Sequence, residues 1–142
     1  MKSVLTVGLC RRDRNDLKEI LAPLRWRIQT AAGYADACLH LQSGHFISVF
    51  CEPVLSDGDW KDILRHLRLS GAPPPLIVTS QLADVGLWAE VLNLGGFDVL
   101  LTPFERTHLL YVAGQAARHA AFQPKANAVC NLSSTLETVK VT

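Results

Sequence analysis

Short apolar runs rich in β-branched and aromatic residues alternate along the chain with longer stretches whose apolar positions recur at helical spacing. That alternation is the signature of βαβ units assembled on a parallel sheet. The first run, Val4 to Leu9, leads to Asp13, a residue type suited to capping a helix, and then to Leu17, Ile20, Leu21 and Leu24 on one helical stripe. Pro23 marks the last turn of that helix. Trp26 to Ala31 is more polar and reads as an edge strand, followed by Gly33 and a small-residue helix through Ala37, Cys38 and Leu41. Phe46 to Cys51 is nearly continuous in large apolar side chains, as a strand covered by helices on both faces requires.

Ser56, Asp57, Gly58 and Asp59 are turn and cap formers, and from Trp60 a helix sets Ile63, Leu64 and Leu67 on one face. Pro73, Pro74 and Pro75 end it, and Leu76 to Thr79 is a fourth strand. Asp84 is placed to cap a helix bearing Leu87, Trp88, Val91 and Leu92, which Gly95 and Gly96 stop. Phe97 to Leu101 is the fifth strand; after Thr102 and Pro103 a last helix, Glu105 to His119, turns Leu109, Val112, Ala113 and Ala116 inward. These units predict an α/β, doubly wound (βα)5 domain over residues 1–120, with 121–142 as a flexible tail free to order against a partner or a second copy.

A chain of 142 residues, 49% hydrophobic, suffices for one sizeable core. A net charge of +1, from 14 basic and 13 acidic residues, gives no global field for steering nucleic acid or anionic lipid. Cys10, Cys38, Cys51 and Cys130 show no CxxC pair, which fits reduced thiols in a cytoplasm. Leu9 before Cys10, and the charges that follow at once, argue against a cleaved leader. Apolar stretches stop short of the roughly 18 residues a membrane span needs. The expectation is a soluble cytoplasmic protein. The arginines from Arg11 to Arg27 read as a solvated loop face, and the histidines lack ligand spacing.

In an open parallel sheet, sites form at the carboxyl ends of the strands beside the point where strand order reverses. The residues so placed are Gly8, Leu9 and Cys10, then Glu52, then Thr79 and Ser80, then Thr102. Glu52 alone is charged. Cys10 and Cys51 end neighbouring strands, but free cysteines most often serve as small buried hydrophobes.

The stretches FCEPVLSDGDW, PLIVTS and GGFDVLLTPF, each at a strand end and in this order, together resemble the response-regulator receiver domain over Val4 to His119. The resemblance implies a flavodoxin-like, CheY-like fold with strand order 2-1-3-4-5. It also implies a site in which an aspartate after the third strand accepts a phosphoryl group with the help of Mg²⁺. That metal is held by the acceptor and by an acidic pair after the first strand. Here Glu52 stands at the acceptor position, Gly8 and Leu9 replace the acidic pair, and Thr102 replaces the lysine that contacts the phosphoryl group. Val99 replaces the switch aromatic, and only the hydroxyl, Thr79, is retained.

One glutamate is a poor cage for Mg²⁺, so metal binding is expected to be lost and no cofactor is implied. Without metal or lysine nothing offsets the charge of a transferring phosphoryl group, so no ordinary phosphotransfer and no enzymatic activity are expected. The implied function is that of a degenerate single-domain receiver in phosphorelay-related signalling, working by phosphorylation-independent protein–protein association. Its partner would be a signalling protein or a second copy, not nucleic acid or membrane, bound on the face of the last strand and last two helices that receivers use to dimerise. Glu52 then reads either as a built-in phosphate mimic in an always-on domain or as a solvated strand-end carboxylate in a domain without a switch, and both readings stay open. Unconventional phosphorylation and a flavodoxin-like small-ligand site in the crevice at Gly8, Leu9 and Thr102 are the alternatives.

Overall fold

The computed structural model describes residues 2–120. Its strands are β1 (Ser3–Val7), β2 (Arg27–Ala31), β3 (Ser48–Cys51), β4 (Val54–Leu55), β5 (Gly58–Asp59), β6 (Leu76–Ser80) and β7 (Asp98–Leu101). Between them lie α1 (Arg11–Leu21), α2 (Tyr34–Ser43), α3 (Trp60–Leu67) and α4 (Val85–Leu94), and a last helix, α5, occupies residues 106–120. The tail expected over 121–142, with Cys130, lies outside the described residues.

Five parallel strands form one sheet in the order β2-β1-β3-β6-β7, while β4 and β5 make a small antiparallel hairpin. The order read from the sequence, 2-1-3-4-5, is therefore corrected to 2-1-3-6-7. The turn chemistry read there over residues 56–59 lies between and within two short strands, β4 and β5, which add two to the chain order. The chain reverses its direction of winding between β1 and β3. Val7 pairs with Cys51, Cys51 with Val78 and Val78 with Val99, so Gly8, Glu52 and Thr79 follow in one row along the carboxyl edge.

Side-chain alternation along the strands divides the core into two layers. Leu5, Val7, Val49, Cys51 and Val78 pack against Trp60, Ile63 and Leu67 of α3 and Val91 of α4. On the opposite face Val4, Phe50, Ile77 and Leu100 meet Leu17, Ile20 and Leu21 of α1 and Leu109, Val112 and Ala116 of α5. Each large side chain removed from water here stabilises the fold by about 1.5–3 kcal/mol. β2, at the edge, is more exposed than the central strands, as its polar sequence implies.

Several helix ends have identifiable causes. Asp59 caps α3 by accepting from the Lys61 and Asp62 amides, and Asp62 answers by accepting from the Asp59 amide. Asp84 caps α4 through the Leu87 amide at 3.1 Å, and Gly95, at φ +103°, ends that helix in the left-handed conformation. Asp57 reaches from the hairpin to the start of α2 and accepts from Tyr34 N at 2.7 Å and Ala35 N at 3.0 Å. At α1 the sequence expectation fails. The N-cap is Cys10, with no side-chain hydrogen bond, and Asp13 lies inside the first turn, 2% exposed. β1 also stops at Val7 instead of Leu9, because Gly8 leaves the strand at φ +76°.

Candidate functional site

The strand ends are built by parity. Glu52 follows the same side of the sheet as Phe50, Thr79 the same side as Ile77, and Thr102 the same side as Leu100, which is the face covered by α1 and α5. The first turn of α1 closes over that edge and brings Asp13 to it. Thr79, fully buried, donates its Oγ1 hydrogen to Glu52 Oε2 at 2.7 Å, a charge-assisted bond between the ends of β6 and β3. Burial raises the pKa of the half-buried Glu52, the Thr79 hydrogen bond opposes that rise, and the nearby Asp13 charge adds to it.

Two further polar atoms at this edge are buried without a hydrogen-bond partner, Asp13 Oδ1 and Thr102 Oγ1. Among the described residues no lysine, arginine or histidine forms an ion pair with Asp13 or Glu52. The guanidinium of Arg14 donates to the Leu9 carbonyl at 2.7 Å instead. Leu9 is a core residue of the α1 and α5 layer.

Gly8 has a partner of another kind. A Cβ built at position 8 would lie 2.5 Å from Leu55 Cδ2 and 3.7 Å from the Glu52 Cβ. The β4–β5 hairpin thus seats an apolar side chain in the space beside Gly8. Cys51 faces the other layer; burial first, then the charges of Glu52 and Asp59, push its thiol far above the ordinary value. Cys10 is exposed.

Val99 lines a cavity of about 210 Å³ between β7 and the start of α4, together with Leu82, Val85, Trp88 and Leu101. The rim is apolar and open to solvent: Trp88 and Leu101 are each 49% exposed. Tyr111 on α5 is 62% exposed. The bond from Thr102 to Pro103 is cis.

Sequence reasoning placed Glu52, Thr79, Gly8 and Thr102 along one edge and missed two neighbours. Asp13 was taken for a cap, although it stands four residues before Leu17 on the apolar stripe itself, and that position marks burial. Leu55, just before the turn residues 56–59, was given no role. Its apolar character beside Gly58 is the signal that the segment packs inward.

Comparison with solved structures decides the fold. The receiver domain in the solution structure of the beryllofluoride-activated NtrC4 receiver domain dimer superposes with a TM-score of 0.75, covering 84% of this chain and 99% of that one at 21% identity. The chain has the receiver fold. No protein-family model matches it. Among curated proteins, the transcriptional regulatory protein FixJ of Bradyrhizobium diazoefficiens is 30% identical over 99 residues, covering 70% of this chain and 47% of FixJ. A probable transcriptional regulatory protein, y4xI, of Sinorhizobium fredii is 35% identical over 68 residues, 48% of this chain and 30% of that protein. The chain therefore spans less than half the length of either curated relative.

The Mg²⁺ that a receiver fold implies does not fit the residues present. Position 8 has no side chain and its space is filled by Leu55, while Leu9 is turned into the core. Among the described residues no group of three or more histidines, cysteines or acids is arranged to hold a metal ion.

Proposed function

We propose that this receiver-fold chain is a signalling module that works by association with a protein, without phosphotransfer, and that Glu52 at the acceptor position supplies the charge a phosphoryl group would bring. The observation that carries this reading is the 2.7 Å bond from Thr79 to Glu52. It gives the strand-end hydroxyl an acidic partner within the chain, in a site whose metal and lysine positions are Gly8, Leu9 and Thr102. A carboxylate held this way ties β6 to β3 with no added group.

The partner surface in this reading is the apolar rim around Val99, formed by α4 and β7 with Tyr111 of α5, and its occupant is a second copy of the chain. Exposed aromatic and aliphatic side chains around a cavity are the anchors that protein interfaces use. The NtrC4 receiver, which superposes over nearly its whole length, is described as a dimer.

Two measurements test the proposal. Incubation with acetyl phosphate and Mg²⁺, followed by intact-mass analysis, is expected to leave the mass unchanged; a stoichiometric, base-labile phosphate on Glu52 refutes the first half. Sedimentation velocity over a concentration series is expected to show a dimer that Leu101→Glu dissociates and Glu52→Gln weakens. A strict monomer whose behaviour neither substitution changes refutes the second half.

A further inference from the structure

Asp57 sits exposed at the tip of the β4–β5 hairpin and holds an element to which it does not belong. Its two carboxylate oxygens accept from the first two amides of α2, Tyr34 N at 2.7 Å and Ala35 N at 3.0 Å. α2 has no cap of its own, because its N-cap is Gly33, which makes no side-chain hydrogen bond. First-turn amides need an acceptor, and a carboxylate there also meets the positive end of the helix dipole. Two glycines allow so close an approach. A Cβ at position 33 would lie 2.5 Å from Asp57 Oδ1, and one at position 58 would lie 3.4 Å from the Tyr34 Cβ.

The hairpin held in this way is the stretch of chain that leads away from Glu52. At its near end the Glu52 amide donates to the Val7 carbonyl at 3.1 Å, and the Glu52 side chain accepts from Thr79. At its far end Asp59 caps α3. In between, the Trp60 amide donates to the Pro53 carbonyl at 3.2 Å and Val54 pairs with Asp59, so the segment closes on itself. Leu55 alone of its side chains reaches the core, in the space beside Gly8, while Val54 is 79% exposed. Among the described residues, Asp57 is the one side chain of residues 53–58 that makes a hydrogen bond to another element.

We propose that Asp57 is a positioning residue for the strand-end site: by clamping the hairpin tip to the start of α2, it keeps Leu55 seated beside Gly8 and fixes the loop that follows Glu52. One carboxylate thus serves as a helix cap and as a tie between two elements. The tie makes α2 part of the site. A partner that displaces the first turn of α2 loosens the loop behind Glu52, and one that steadies Glu52 steadies α2 by the same amount. This inference rests on the reading of Glu52 as the charge that matters for association, and it adds a second helix to the parts that feel that charge.

Hydrogen exchange of the full chain, read by mass spectrometry over residues 33–40 and 52–59, tests the clamp. Asp57→Ala is expected to speed exchange in both segments by about fivefold, the change that a lost cap produces. Asp57→Ala combined with Gly33→Ser then separates the two roles. With the Asp57 carboxylate gone, position 33 has room for a side chain, its backbone is extended at φ −161°, and serine caps α2 locally. The expected result is that α2 returns to slow exchange while residues 52–59 stay fast.

Recovery of both segments in the double variant overturns the proposal, since Asp57 would then be a cap and nothing more. Hairpin exchange that ignores Asp57→Ala overturns it as well. Should Asp57→Ala fail to fold, Asp57→Asn, which keeps a single neutral acceptor, decides: faster exchange over residues 52–59 supports the clamp and wild-type exchange there overturns it. Association of Glu52→Gln, measured separately, keeps the two ideas apart. A working clamp with unchanged association removes the signalling reading alone, and weakened association with a hairpin indifferent to Asp57 removes the clamp alone.

Discussion

The Thr79 hydroxyl and the Glu52 carboxylate join the ends of two adjacent strands, β6 and β3, at 2.7 Å, and the donor is fully buried while the acceptor is half open to water. Removing the donor leaves the carboxylate to water on one side only. Thr79→Val is expected to lower unfolding free energy by about 1–2 kcal/mol in urea titration. A double-mutant cycle with Glu52→Ala, which removes the acceptor, should return a coupling of about 1 kcal/mol. A coupling of zero would mean that the bond carries no energy and ties nothing together.

The pH dependence of stability follows from the same carboxylate. Glu52 has a folded pKa raised above its ordinary 4.5, so folding favours the protonated form. Its contribution is fully present below pH 4.5 and is lost as pH rises through the folded value. Asp57 and Glu105 have lowered values and act the other way, contributing above their ordinary 3.8 and 4.5 and losing that contribution only at more acid pH. Glu52→Gln, which resembles the protonated form, should therefore gain on the wild type as pH increases from 4.5 toward neutrality. Urea midpoints of both proteins across that range check the sign.

Gly8 is held by conformation and by space at once, at φ +76° with Leu55 beside it. Gly8→Ala is expected to cost about 1–3 kcal/mol through left-handed strain and overpacking. Leu55→Ala alone is expected to cost about 2–4 kcal/mol through the cavity it leaves. The double variant should cost less than the sum, since the second change opens the space the first one needs. Thermal unfolding of the three variants measures this, and strict additivity would show that the two residues do not share that space.

Asp59 makes a reciprocal capping box with Asp62 at the start of α3. Asp59→Ala should lower stability by about 1 kcal/mol and speed amide exchange in the first turn of α3 more than in the sheet. Uniform exchange across both would show that α3 and the sheet open as one unit instead.

The alternation of strands and helices was legible because buried parallel strands and amphipathic helices leave different periods in sequence, and the receiver-like segments set the strand ends in the right order. Glu52 and Thr79 were readable as candidates because the carboxyl edge of such a sheet is fixed by topology. Asp13 was not, since its residue type argues for a cap and only its spacing from Leu17 argues for burial. The hairpin was not legible either. Strands of two residues each are too short to show a period, and Leu55 gains its meaning only from contact with Gly8 across the edge. Asp57 looked like a turn former because its partners, the Tyr34 and Ala35 amides, lie 23 and 22 residues away.

The fit between Gly8 and Leu55 makes the introduction of any larger side chain at position 8 a double step. An acid introduced at position 8 meets an occupied space and an unfavourable backbone, and a smaller residue at position 55 by itself leaves a hole in the core. Changing both residues together removes the clash but keeps the left-handed strain at position 8. The apolar pair acts as a lock on position 8, set by backbone conformation and side-chain volume together.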